Sequence, residues 1–482
     1  MLAYEVEYEG QKYFGNIPLH EFHLFQMEGQ FILFDVERVL ARSITPTEFL
    51  ELQHLPTWPG DLLPAPIMNR LRQLGLVEDD TDPEDLSTGD ALSAGVAQRT
   101  SPICVSNITL FVAQTCNLNC VYCYGNGGSY HEGKAIMNDE TAFRAVDWLF
   151  ENSAGVDKLR ISFFGGEPLL NFPLITRVVN YAKDQAAKIG KKMSFGVTTN
   201  ATVLTDDMLA FLANEKIGVL VSFDGPPEVH NRQRPFKDGS GSYDTVRYNI
   251  TKLLAAYPKL QGRATLCGSA DPLEVEAAMR QAGFTTCMLT NMSPSLFSMR
   301  TPKPGLGIVD DTTAQRTIAF LRTKAHDLMH SAKQRIAEDN KLAGLMMLLV
   351  TNKKRYYGCG VGKGTLAVSV RGDIYPCHRF AGQPDWIMGN INCYRAGEPN
   401  KYHLATVDTL PTCCACWARY FCGGGCAYEN IVRTGDARTP DASFCTVMTT
   451  AIEIGIWTYC QMDDSDREFL RSTYTGSSLR LP

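Results

Sequence analysis

The chain has 482 residues, 44% of them hydrophobic and 20% charged, a globular balance too long for one ordinary domain and pointing to two or three. A formal net charge of −6, with no long basic run, gives no reason to expect nucleic-acid binding. Met1–Gly10 has no basic stretch leading into an apolar one, and no apolar run reaches membrane-spanning length; Gly344–Val350 is short and is followed by Lys353-Lys354-Arg355. Sixteen cysteines without a secretory signal read as metal ligands rather than disulfides. They are unevenly placed, with six between Cys413 and Cys445.

Residues 1–95 contain no cysteine. Tyr4–Tyr8 and Phe31–Asp35 read as strands. Thr45 and Glu48 have capping-box spacing, and Pro46 falls at the first helical position. Leu71–Val77 reads as a helix ending at Gly75 and running into an extended segment. Strands followed by helices predict a winged-helix-like module over 1–95, similar to leader-peptide recognition domains fused to enzymes that modify ribosomal peptides. A purely structural N-terminal extension is the alternative. Asp79–Ser101, rich in Asp, Ser, Thr and Gly, reads as a linker.

A short apolar run, Ile108–Ala113, is a buried strand leading into Cys116, Cys120 and Cys123, spaced C-x3-C-x2-C. Thiolates at such spacing hold zinc or iron–sulfur clusters. Three cysteines without a local fourth leave one iron of a four-iron cluster open, or form a zinc knuckle with a distant fourth ligand. With Tyr122 before the last cysteine, the loop resembles the signature of the radical S-adenosylmethionine (SAM) enzymes. The resemblance implies that the open iron binds SAM, whose cleavage gives methionine and a hydrogen-abstracting 5′-deoxyadenosyl radical. Beyond the loop, strand-like and helix-like segments alternate from Ile108 to about Thr290, as a parallel β/α fold requires. Strands are predicted at Leu159–Phe164, Lys192–Val197, Gly218–Phe223, Arg263–Cys267 and Thr285–Leu289, with a helix Glu140–Glu151 capped by Asn138 or Asp139. Six such units give the partial (β/α)6 barrel of that family, with its site on loops after the strands. The resemblance extends to Gly165-Gly166-Glu167-Pro168 toward the SAM amino group, and to Thr198-Thr199-Asn200 toward its polar parts. It also covers Ser222 and Asp224-Gly225 toward the ribose, and Arg234 rather than Arg232 toward the carboxylate.

Residues 104–310 thus form the expected core, and 311–355 a helical bridge. Residues 356–450 carry Cys359, Gly372, Cys377, Cys413-x2-Cys416-x5-Cys422-x3-Cys426 and Cys445, with a tail over 451–482. The spacing resembles the SPASM extension, which holds auxiliary four-iron clusters; two structural zinc sites are the alternative. Carried over, Cys413, Cys416, Cys422 and Cys445 close one cluster, while Cys359, Cys377 and Cys426 hold another that is one ligand short. Gly-Val-Gly-Lys-Gly-Thr follows Cys359 where a further cysteine is usual. That cluster is open, or Cys414, Cys393 or a non-cysteine residue completes it. Cys104, Cys267, Cys287 and Cys460 are expected to be ordinary buried cysteines.

Gly372–Phe380 and Met388-Gly389-Asn390 resemble maturases that form thioether crosslinks, of the quinohemoprotein amine dehydrogenase maturation and six-cysteine peptide types. The implied enzyme is a radical SAM peptide maturase using SAM and three [4Fe-4S] clusters, one SAM-binding and two auxiliary. Its partners would be a precursor peptide or protein and an electron donor such as flavodoxin or ferredoxin, with no nucleic acid or membrane. Its oxygen-labile clusters place it in the cytoplasm. An open auxiliary cluster could ligate a substrate cysteine thiolate beside the substrate radical. The alternatives are C–C crosslinking, formylglycine formation (which wants a catalytic aspartate that no motif marks), or a non-catalytic iron–sulfur electron carrier.

Overall fold

The computed structural model describes residues 4–8, 11–15, 20–53, 62–77, 104–291, 311–330, 340–362, 364–394 and 406–475. The linker expected at 79–101 lies outside them.

Six parallel strands form the barrel sheet: Asn107–Gln114, Lys158–Gly165, Lys192–Thr199, Gly218–Ser222, Gln261–Leu266 and Thr286–Asn291, side by side in chain order. This is the predicted barrel. Its strands alternate in burial. On the second strand Leu159, Ile161 and Phe163 are buried on the outer face, while Arg160, Ser162 and Phe164 turn to the other side. Helices cover the outer face. Asp139–Glu151 starts at Asn138, whose side chain accepts from the Thr141 N–H, and two acids in its first turn suit the helix dipole. It presents Val146, Trp148 and Leu149 to a core shared with Ile175, Val178 and Val246. Each such side chain contributes about 1.5–3 kcal/mol by burial.

The sheet does not end at its first strand. Thr365–Val368 pairs with Asn107–Gln114 in parallel, and Asp373–Tyr375 and Gly389–Asn390 follow antiparallel. The C-terminal cysteine region is thereby welded to the barrel, with Cys377 two residues beyond Tyr375.

The N-terminal region holds more sheet than expected. Two three-stranded antiparallel sheets, one of Tyr4–Tyr8, Gln11–Gly15 and Leu62–Pro64, the other of Phe22–Met27, Gln30–Asp35 and Leu40–Ile44, accompany helices Pro46–Gln53 and Ala65–Gln73. The capping box forms: Glu48 Oε2 accepts from the Thr45 N–H at 2.8 Å, and Thr45 Oγ1 accepts from the Glu48 N–H at 3.2 Å. Phe25, Met27, Ile32 and Phe34 join one core with Leu321, Met346, Ile454 and Trp457. His23 stacks on Trp417 at 3.8 Å and bonds Glu453 at 2.9 Å, and buried Arg419 pairs with Glu21 and Glu37.

The bridge is helical, Asp311–His330 and Asn340–Thr351. Over the region expected as a tail, Ala442–Gln461 and Asp464–Thr475 are helices, and Ile452, Ile454 and Ile456 are fully buried. No helix among the described residues is long and apolar enough to cross a membrane.

Candidate functional site

A cavity of about 210 Å³ opens beside the cysteine loop, among residues that follow or end all six barrel strands. Cys116, Cys120 and Cys123 line it together. The loop is held by its backbone: Asn119 N–H donates to Pro235 at 2.8 Å and Val121 N–H to Gln233 at 3.0 Å. Burial pushes the Cys116 thiol up to about 11 and Cys120 up to about 12, so these groups ionise only against positive charge.

The second strand reaches the loop through a bulge. Register slips between Phe111 and Ala113, and Gly165 follows with φ +142°. A Cβ on Gly165 would sit 2.1 Å from the Ala113 carbonyl oxygen, and one on Gly166 2.2 Å from that of Thr115. Only glycine allows this approach.

Gly165, Gly166, Thr198, Thr199, Asn200, Ser222, Tyr122 and Arg234 all line the cavity. Glu167 and Asp224 lie behind that wall. Glu167 accepts from Asn200 N–H at 2.7 Å, Thr199 Oγ1 at 2.8 Å and Leu169 N–H at 3.0 Å. Burial still raises its pKa to about 6. Asp224 accepts from Tyr122 Oη at 2.7 Å and Thr265 N–H at 3.0 Å, and faces Arg234 at 3.7 Å. Both carboxylates hold the wall rather than form it. Arg234 donates to Tyr122 Oη, yet its buried Nε has no partner. Arg232 is exposed.

Twelve lining residues were not among those expected from the sequence, Tyr124, Gly127, Gly128 and Tyr130 of the cysteine loop included. Arg263, Thr265, Thr290 and Asn291 end the last two strands, and His378 and Arg379 follow Cys377. The alternation Gly262, Ala264, Leu266 buried against Arg263 and Thr265 is a readable signal for the first pair. His378 lies in the stretch already singled out around Cys377.

In the second cysteine field two sets of thiols lie near enough to act on one another electrostatically. Burial raises Cys377 to about 12, and Cys426 and Cys359 add to the rise. Burial likewise raises Cys445, followed by Cys413 and Cys416, while Cys422 feels burial and then Cys413 and Cys445. Gly423, Gly424 and Gly425 all have positive φ, and the last two donate N–H groups to Cys422. Cys414 is exposed with its thiol turned to the Pro411 carbonyl at 3.5 Å, and Cys393 is exposed. Cys104, expected to be buried, is exposed because it precedes the first strand.

The Radical SAM superfamily pattern matches residues 110–269. A serine-type anaerobic sulfatase-maturating enzyme of Bacteroides thetaiotaomicron is 33% identical over 364 residues, 67% of this chain and 83% of that protein. The chain belongs to the radical SAM superfamily. Two solved structures share its fold. One is anSMEcpe with bound AdoMet and the Cp18Cys peptide, at TM-score 0.60 and 20% identity, covering 73% of this chain and 96% of that one. The other is Streptococcus suis SuiB bound to precursor peptide SuiA, at TM-score 0.52 and 16% identity, covering 88% and 98%.

This radical SAM enzyme is related to peptide-modifying maturases. Its residues fit the group the family implies. Among the described residues no three His, Cys, Asp or Glu side chains converge as ligands of one metal ion. The three loop thiols nonetheless share a cavity, which fits a cluster wider than a single zinc. The orphaned Arg234 Nε fits a carboxylate such as that of SAM.

Proposed function

We propose that this radical SAM enzyme matures a ribosomally made peptide by installing a crosslink, a thioether between a cysteine sulfur and a carbon of another residue. Cys116, Cys120 and Cys123 would hold the SAM-binding cluster. Cys413, Cys416, Cys422 and Cys445 would hold one auxiliary cluster, and Cys359, Cys377 and Cys426 the other. When bound, SAM and its cluster supply hydrogen abstraction from carbon. The residues on the cavity wall orient the reacting carbon and exclude water; Arg234 and Asn200 take polar ends of the cofactor.

One observation carries the crosslink reading. Cys377 belongs to a group of three thiols, and its neighbour His378 lines the cavity. Cys414, the nearest sequence candidate for a fourth ligand, is exposed and turned to Pro411. A substrate sulfur bound at this group would lie beside the cavity wall. Forming the thioether breaks one C–H and one S–H bond. The carbon would give up a hydrogen atom and the thiol a proton, and the cluster that Cys359, Cys377 and Cys426 would hold could accept the remaining electron.

The second reading is formylglycine formation, favoured by the maturases among the relatives. Against it, no Asp or Glu lines the cavity among the described residues. Co-expression with a Cys-containing peptide encoded beside the gene separates the readings by mass and thiol titration. A thioether loses two hydrogen atoms and one alkylatable thiol; a C–C crosslink loses the hydrogens and keeps the thiol. Conversion of the cysteine to an aldehyde would end the crosslink reading.

The reconstituted chain is expected to carry about twelve iron atoms in three four-iron clusters; four iron and two zinc would restore the zinc alternative. Adding the same precursor should change the auxiliary paramagnetic resonance signal in both wild type and Cys414→Ser. No change in wild type, with loss of a cluster in Cys414→Ser, would show that Cys414 closes the site. The N-terminal sheets are proposed to hold the precursor's leader, and a flavodoxin or ferredoxin to supply electrons.

A further inference from the structure

Three arginines line the cavity, and their counter-charges can be counted. Arg234 faces Asp224 at 3.7 Å. Arg379 pairs with Glu429 and lies 4.3 Å over the Tyr428 ring. Arg263, on the fifth barrel strand, has no carboxylate among the described residues; its Nε donates to Thr290 Oγ1 at 3.4 Å. The cysteine thiols do not supply the missing charge. Cys120 and Cys116 act on Arg234 and Cys426 acts on Arg379, but none acts on Arg263. Burial lowers the Arg263 pKa, only the Tyr124 and Tyr122 phenols oppose this, and the Arg379 charge adds to the lowering. A cation withdrawn from water beside another cation costs free energy until an anion meets it.

Thr265, Thr290 and Asn291 stand on the same two strand ends. Their hydroxyl and amide groups complete a polar corner opposite no acid. Bound SAM brings more positive charge than negative, and its one carboxylate has the orphaned Arg234 Nε to meet. Arg263 is thus the lining guanidinium with no carboxylate partner among the described residues, and a substrate anion would complete it.

We propose that Arg263 anchors a carboxylate on the substrate residue that enters the barrel, so that the modified segment presents an acidic side chain there. This specificity rests on the peptide-modifying reading above. A guanidinium fork selects a carboxylate over its amide by geometry and charge together.

The test uses the full chain with its clusters and SAM, and four probes: acetyl-Ala-Glu-Ala-amide, acetyl-Ala-Gln-Ala-amide, acetyl-Ala-Gln-Ala with a free C-terminal carboxylate, and N-acetylglutamate. Affinity is read from the change each makes in the paramagnetic resonance of the reduced SAM-bound protein. The glutamyl tripeptide is expected to bind about tenfold more tightly than its amide, a step charge-assisted hydrogen bonds can supply. Arg263→Gln should erase the difference while SAM affinity stays within about twofold, and Arg263→Lys should keep part of it. Preference for the free-terminus tripeptide alone would overturn the acidic side chain and assign Arg263 to a chain end instead. Equal binding of glutamyl and glutaminyl tripeptides in wild type would overturn the anchor and leave the peptide reading standing. N-acetylglutamate binding as tightly as the tripeptide would support the anchor and remove the peptide reading. A tenfold loss of SAM affinity in Arg263→Gln would overturn the proposal by giving Arg263 to the SAM carboxylate. The wild-type comparison decides even where a variant does not fold.

Discussion

Replacing Cys116, Cys120 and Cys123 together by Ala is expected to remove about four iron atoms per chain and to abolish 5′-deoxyadenosine formation. All three thiols line the cavity; among the described residues His378 lines it too, but no Asp or Glu does. The loop itself should persist. Its backbone bonds to Pro235 and Gln233, and the bridge between Leu118 and Phe236, do not use sulfur. The variant should therefore keep its thermal transition before reconstitution and differ from wild type only after iron is added. Normal SAM cleavage by the triple variant would end the assignment of the cluster to this loop.

Gly166→Ala should be nearly as damaging to activity and far more damaging to the fold. The added methyl would meet the Thr115 carbonyl oxygen at 2.2 Å, its carbon at 2.4 Å and the Cys116 nitrogen at 2.9 Å. All three are backbone atoms, so no side chain can swing aside. Overpacking of this kind costs about 1–3 kcal/mol even where side chains yield, and here relief requires moving the first residue of the cysteine loop. A lower thermal transition with lost iron retention is the expected result. Gly155→Ala is the comparison: its Cβ would meet nothing within 4 Å, although φ is +70°. A Gly166→Ala protein that matched Gly155→Ala in stability and iron content would show that the close approach carries no weight.

The barrel was legible because its strands are short apolar runs at regular spacing, and because thiols and glycines at fixed offsets can do few other things. Cys116, Gly166 and Arg234 were readable for that reason. Arg263 was not, since a charged residue at the start of a strand-like run reads as an exposed end until neighbouring strands give it a side. The roles of Glu167 and Asp224 were also hidden. Sequence marks a carboxylate near the site, but whether it faces the cavity or supports Thr199, Asn200 and Tyr122 depends on the third dimension. The strands expected at Tyr4–Tyr8 and Phe31–Asp35 are present, but the packing of the N-terminal region on the last helices was hidden for a related reason. Phe34 and Ile454 lie about as far apart in the chain as two residues can, and neither carries a local sign that the other is its partner.

That pairing has a consequence for how the protein is made. Gln30 bonds Gln461 and His23 bonds Glu453, across 431 and 430 residues. At the usual pace of synthesis, roughly 5–20 residues per second, the first sheet would wait roughly 20–90 s for the helix that covers it. During that time Phe25, Ile32 and Phe34 face solvent or a chaperone. The barrel, whose strands lie beside their neighbours in chain order, can close meanwhile. The cysteine groups that depend on Cys426 and Cys445 cannot be complete before those residues are made, well after the barrel strands. Iron delivery to the second cysteine field is thus a late event, timed by the same residues that finally bury the first.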